Sequence, residues 1–177
     1  MIAQRIKDLV MTKSFLFLTG ILILLITAHV IMSYYIVINK SSSLPGHVYL
    51  INHSRDYKLN STILFCPDEK LTRLEDALNN SVKSSRCPTG VNPLLKTVFA
   101  LPYDYIQADG ENNLIINNQV IRNSKPGAKI PLPKWRFEGL LPKDNLLVLT
   151  SNPDSLDSRY YGPISTDQII STVTELF

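Results

Sequence analysis

A run from Ser14 to Asn39 that contains no Asp, Glu, Lys or Arg limits what this chain can fold into more than any other feature. Phe15–Ile38 is apolar almost throughout, and as a helix it would be about 36 Å long. That is enough to cross a hydrocarbon core of about 30 Å with some tilt. A cleaved signal peptide has a shorter apolar region of about 7–15 residues and ends in a small-residue cleavage site. Here the run leads into Ser33-Tyr34-Tyr35-Ile36-Val37-Ile38-Asn39-Lys40, with no A-x-A pattern, so an uncleaved anchor over 14–39 is expected. Arg5, Lys7 and Lys13 precede the run and only Lys40 follows it closely. The positive-inside bias then places residues 1–13 in the cytoplasm and residues 40–177 outside it. Tyr34 and Tyr35 suit the far interfacial belt, and His29 reads as a tolerated neutral imidazole or helix contact rather than a polar site.

Composition follows the same division. The chain has 177 residues, with 18 Lys and Arg against 15 Asp and Glu, and its net charge of +3 lies entirely within residues 1–40. The remainder is balanced, so it has no basic excess to attract nucleic acid, and composition speaks against a DNA-binding function. The length allows one ordinary domain beside the anchor and no large multidomain enzyme.

Beyond Lys40, short apolar segments are separated by turn signals. His47–Asn52, Ser61–Cys66, Leu94–Leu101 and Asn145–Ser151 read as strands, and Asn113–Ile116 with Gln119–Arg122 as a hairpin. Leu71, Leu74, Leu78 and Val82 at helical spacing predict a helix over 71–82. Gln168–Phe177 suits a helix or a strand. The expectation is one mainly-β domain behind one N-terminal transmembrane helix. Cys66 and Cys87 bracket the helical insertion, and each precedes a proline. In an exported domain they favour a disulfide worth roughly 3 kcal/mol in the chain-entropy model, with two buried free thiols as the other reading. A structural zinc site would need more ligands than this neighbourhood offers, so no metal is expected.

Catalysis outside a membrane span needs a nucleophile, a base and an oxyanion site. His47 and His53 are the histidines outside the span, and no G-x-S-x-G elbow accompanies them. Lysine is the other base that suits serine, provided an apolar surround lowers its pKa. In a strand over 94–101, Leu94, Lys96, Val98 and Ala100 share one face, so Lys96 either snorkels out or loses its proton. Ser43 lies within roughly 18 Å of the end of the apolar run along an extended chain, where a membrane-embedded substrate emerges. By itself it could equally be linker. Residues 151–163, Ser-Asn-Pro-Asp-Ser-Leu-Asp-Ser-Arg-Tyr-Tyr-Gly-Pro, read alone as a polar loop.

Together and in this order, the three segments resemble the boxes of the serine–lysine signal peptidases, most closely the TraF-type conjugative transfer peptidases. Ser43-Leu44-Pro45, with Gly46 and Tyr49, is similar to the nucleophile box, and Leu95 to Asp104 to the general-base box. Asp154 to Pro163 is similar to the C-terminal box. The pair Phe65-Cys66-Pro67 and Cys87-Pro88, followed by Pro93-Leu94-Leu95-Lys96, points to the TraF type. Three departures stand out. Tyr103 occupies the usual glycine of the Leu-Pro-Gly-Asp turn, Thr97 replaces a frequent arginine, and Gly46 follows Pro45 directly.

The resemblance implies a signal-peptidase-like (LexA-like) coiled β-sheet catalytic domain and a membrane-anchored serine endopeptidase. Ser43 would be the acylated nucleophile, Lys96 the general base and Ser155 the hydroxyl that orients the lysine. Ser41 and the Ser43 N–H would be the oxyanion donors, and Asp157 and Arg159 a structural ion pair. Ile38, Asn39 and Lys40 on one side, and Pro93, Leu94 and Leu95 on the other, would be edges for an extended substrate. No metal, nucleotide or organic cofactor is required. The implied partners are a pilin or other membrane-inserted precursor, the lipid bilayer and a conjugative transfer apparatus. The implied location is the bacterial inner membrane, with the catalytic domain on the periplasmic side. In some relatives the pilin's own N-terminal amine resolves the acyl-enzyme and cyclises the product. A general type I signal peptidase and an inactive scaffold of a type IV secretion apparatus are the alternatives. A repressor-type self-cleaving relative would carry a DNA-binding domain instead of a span.

Overall fold

The computed structural model describes the backbone of residues 2–78, 82–110, 114–121, 132–152 and 155–177, with side chains from Lys13 onward. The chain divides into two compact units, Met1–Val37 and Ile38–Phe177. The first is helix α1, Ile2–Tyr35. Within it Lys13–Tyr35 is long and apolar enough to cross a membrane. The helix ends before the apolar run does. Ile36–Ile38 is extended as strand β1, because three successive β-branched residues favour the pleated conformation.

In the second unit the short apolar segments become strands. These are β2 (Val48–Ile51), β3 (Thr62–Phe65), β4 (Leu94–Ala100), β5 (Tyr105–Asp109), β6 (Leu114–Ile116) and β7 (Gln119–Ile121). They continue with β8 (Arg136–Leu140), β9 (Asn145–Leu149), β10 (Ile164–Ser165) and β11 (Ile169–Glu175). One sheet has the order β1-β2-β11-β3-β4-β9-β10, and a smaller one the order β7-β6-β5-β8. From β2 onward the pairings are antiparallel. The protein is therefore mainly β with one long N-terminal apolar helix. The ambiguous C-terminus is a strand: Val173 pairs with Ile51 on one side and with Thr62 on the other. The expected hairpin is β6–β7. Asn113 and Arg122, at its predicted ends, lie outside the described residues.

Helix α2 begins earlier and ends earlier than the leucine spacing predicts. It covers Glu69–Ala77, with the Asp68 carboxylate accepting from the Leu71 N–H at 2.7 Å as its N-cap and Leu78 as its C-cap. Val82 is outside the helix and 59% exposed, so its match to the leucine spacing is accidental. Residues 79–81 of the predicted helix lie outside the described residues. Cys66 and Cys87, on either side of α2, are joined as a disulfide.

Strand β9 divides the interior. Leu146 and Val148 point into a cluster with Ile63, Phe65, Leu71, Val98 and Tyr160. Leu147 and Leu149 point into a second cluster with Ala100, Ile106, Leu114 and Leu141. A strand buried on both faces requires the continuous apolar run seen here. The β4 register shifts between Val98 and Ala100. Lys96 and Val98 therefore keep a common face, but Ala100 is transferred to the second cluster, contrary to the simple alternation.

Candidate active site

Lys96 lies in β4, paired with Ile63 of β3, and is 5% exposed. Its Nζ donates to the Ser155 Oγ at 2.8 Å, and the Ser155 hydroxyl donates to the Ser43 Oγ at 3.1 Å. Three residues far apart in sequence thus form one hydrogen-bonded chain, with the link from Lys96 to Ser43 running through Ser155. Burial lowers the Lys96 pKa to about 8 from the ordinary 10.5. The carboxylates of Asp157 and Glu75 oppose that shift, and the Arg159 guanidinium adds to it.

The short segment after β9 supplies Ser155 and the frame around it. Asp157, fully buried, accepts from the Arg159 Nε at 2.8 Å and pairs with its Nη2 through the second carboxylate oxygen. The same carboxylate caps helix α3 (Ser158–Tyr161) by accepting from the Arg159 N–H at 3.1 Å. It also accepts from the Thr150 N–H at 3.3 Å, while the Ser158 Oγ accepts from the Val148 N–H at 2.9 Å. Polar groups that would be costly to bury alone therefore satisfy one another and the backbone of β9. Asp154, the first residue of this box, lies outside the described residues.

Ser43 is half-buried on a turn between β1 and β2, with Ser41 and Ser42 exposed beside it. The Ser43 N–H donates to the Ser41 Oγ at 3.4 Å. The Tyr49 hydroxyl donates to the Pro45 carbonyl, and Gly46, at φ +73°, packs so closely on Glu175 that a Cβ would fall 2.4 Å from its carboxylate. The positive φ is what favours a glycine at this position.

Tyr103 also explains itself. The Asp104 N–H donates to the Leu101 carbonyl at 3.1 Å, closing a turn with Pro102 second and Tyr103 third at φ +72°. This is the type II geometry that a glycine relieves. The chain keeps the turn with a tyrosine that is 64% exposed.

The structure brings Ser43, Lys96, Ser155 and Ser41 together, with Asp157 and Arg159 behind them. Leu94 and Leu95 pair with Phe65 and Leu64 of β3, while β9 pairs with β4 only from Thr97 onward. Leu94 and Leu95 therefore present a β4 edge that β9 does not use, with Pro93 just before the strand. Ile38 and Lys40 are exposed, but the Asn39 side chain is buried, which sets it apart from the other expected edge residues.

Two further residues contribute to the site beyond those predicted from the sequence. Asn152 donates from Nδ2 to the Ser42 carbonyl at 2.9 Å, tying the serine turn to the segment carrying Ser155. Its own carbonyl accepts from the Arg159 Nη2 at 3.3 Å. Nothing in the local pattern singled it out from a polar loop. Glu75, buried on α2, acts on Lys96 electrostatically. Its spacing of four from Leu71 was the available signal, since that places it on the inner face.

A half-buried serine joined through a hydroxyl to a buried lysine with a lowered pKa is an arrangement suited to serine-type hydrolysis. The chain belongs to the signal peptidase family, peptidase S26, which matches residues 9–177. Among its relatives, the conjugal transfer protein TraF of Agrobacterium tumefaciens (strain 15955) is 27% identical over 93% of this chain and 96% of its own length. A plasmid transfer protein TraF of Escherichia coli is 26% identical over 77% of this chain and 79% of its own. A signal peptidase I from Enterococcus faecalis V583 is structurally similar at a TM-score of 0.37 and 15% identity, over 67% of this chain and 97% of that one.

Proposed function

We propose that this protein is a membrane-anchored serine endopeptidase that matures a pilin, or another precursor of a conjugative transfer apparatus, through Ser43 and Lys96. The observation that carries the reading is the chain Lys96–Ser155–Ser43, with its lysine buried and its serine accessible. The TraF relatives, named as conjugal and plasmid transfer proteins, support the precursor class. The apolar helix supports a membrane anchor, with the catalytic unit on the periplasmic side of the inner membrane.

Neutral Lys96 accepts a proton from Ser155 as Ser155 takes the proton of Ser43 and the Ser43 Oγ attacks the scissile carbonyl. The Ser43 N–H and the Ser41 hydroxyl receive the oxyanion, each worth roughly 3–4 kcal/mol in well-formed sites. The protonated lysine then gives its proton to the leaving amine, and a water activated by the same lysine releases the acyl group. An extended substrate adds as a strand along Pro93–Leu95 and against Ile38–Ser41, where Asn39 and Lys40 contribute backbone. Asp157 and Arg159 hold the segment that presents Ser155.

Mass spectrometry of the candidate pilin, from cells carrying the parent or the Ser43→Ala protein, tests this. A trimmed pilin with the parent and only precursor with Ser43→Ala is the expected result. A further loss of one water mass from the trimmed product identifies cyclisation. An identical pilin in both strains overturns the assignment and leaves a general signal peptidase or an inactive scaffold, which cleavage of a panel of exported preproteins tells apart.

A further inference from the structure

The turn that carries Ser43 is built around one amide. The backbone N–H of Asn39 donates to the His47 carbonyl at 2.8 Å, and its side chain, 7% exposed, folds back into the turn. Oδ1 accepts from the Ser41 N–H at 3.0 Å and from the Ser41 hydroxyl at 2.9 Å. Nδ2 donates to the Leu44 and Gly46 carbonyls, each at 3.2 Å. A flipped amide would set Nδ2 against the Ser41 N–H and Oδ1 against two carbonyls, so only this orientation satisfies the turn.

The consequence falls on Ser41. With its hydrogen directed to Asn39, the Ser41 oxygen keeps its lone pairs for the Ser43 N–H, which reaches it over a long 3.4 Å. Both groups read above as oxyanion donors are thus occupied at rest, one by a weak contact and one by a neutral acceptor. We infer that Asn39 is the positioning residue of the oxyanion site: it parks the Ser41 hydroxyl beside the Ser43 N–H until a substrate oxygen takes both hydrogens. This inference rests on the proposed roles of Ser41 and Ser43.

The exchange needs only rotation of one hydroxyl. Asn39 Oδ1 retains the Ser41 N–H when the hydroxyl leaves, so no buried acceptor is orphaned. A developing oxyanion attracts the hydroxyl more strongly than a neutral amide oxygen does, so the switch favours the transition state over the ground state. A carboxylate at position 39 would compete for that hydrogen with its own charge.

The test is a double-mutant cycle on the full chain. The enzyme is reconstituted with the candidate pilin precursor in phosphatidylethanolamine–phosphatidylglycerol vesicles, with an exported preprotein as substrate should the pilin not be cut. Asn39→Asp is expected to lower kcat at least tenfold with KM within twofold. In the Ser41→Ala background the same change should lower kcat less than twofold, and Ser41→Thr should restore the sensitivity. Equal losses in both backgrounds, or a change confined to KM, overturn the inference. If Asn39→Asp does not fold, Asn39→Gln is read by the same criterion. Ser43→Ala, run in parallel, separates the two levels. Parent-like cleavage by it removes the peptidase reading, whereas an inactive Ser43→Ala with an additive cycle removes only the role of Asn39.

Discussion

The two sides of the site are built by opposite rules. On the side of the proposed base, Lys96, Ser155, Asp157, Ser158 and Arg159 are all buried, and carboxylate, guanidinium and hydroxyls satisfy one another and the β9 backbone. On the side of the proposed nucleophile, Ser41 and Ser42 are exposed and Ser43 is half-buried, with the turn held by asparagine amides from within and from Asn152. The difference follows from the chemistry each side is suited to. A lysine reaches its neutral form near pH 8 only when removed from water, whereas a serine must meet a substrate that arrives from outside.

Removing the lysine should have the largest effect. Lys96→Met is expected to lower the processing rate by about 10³-fold or more while the protein still folds and inserts. Unaltered processing would dismiss the pair. The same variant should be more stable than the parent at pH 7, by roughly 1–3 kcal/mol, since a charged amine no longer has to be buried. Thermal melts measure this directly.

The buried frame comes next. Asp157→Ala should cost about 3–5 kcal/mol in urea unfolding, because it leaves the Arg159 charge buried without its carboxylate. A loss below about 1 kcal/mol would mean that the frame does not depend on the pair. Ser155→Ala, which interrupts the link without removing either end, is expected to slow processing by roughly 10–100-fold without abolishing it. A rate equal to the parent's would take Ser155 out of the site.

The lysine also sets a pH dependence. The processing rate should rise as pH increases through about 8, as the neutral amine becomes populated. The folded-state pKa is lower than the unfolded one, so between about 8 and 10.5 the unfolded chain binds the extra proton and stability also rises with pH. A flat rate profile from pH 6.5 to 9, or melting temperatures that fall steadily from pH 8 upward, would contradict a buried Lys96 that titrates here.

The smallest effect lies outside both sides. Tyr103→Gly should stabilise the protein by about 0.5–1 kcal/mol with processing unchanged, since it relieves a positive φ at a surface turn. A destabilised variant would show that the exposed ring contributes packing that outweighs the backbone strain.

Much of this protein follows from local order in the chain. The uncharged run needs only its length and composition to form an apolar helix, although the helix yields to β1 at Ile36. Strands β2, β3, β4 and β9 follow from short apolar segments between turn signals, and the three boxes from residue types at fixed spacing. Strands β5 and β8 escape a reading by apolar segments, since β5 carries Gln107 and Asp109 and β8 carries Arg136 and Glu138 within five residues each. Tertiary structure alone decided that Ala100 leaves the face of Lys96, that Asn39 turns inward, and that Asn152 reaches Ser42 across the fold. Periodicity reports which face a residue occupies relative to its neighbours in the chain. It contains no term for a bulge imposed by a paired strand, or for a hydrogen bond whose partner is distant in sequence and becomes near only when the sheet closes.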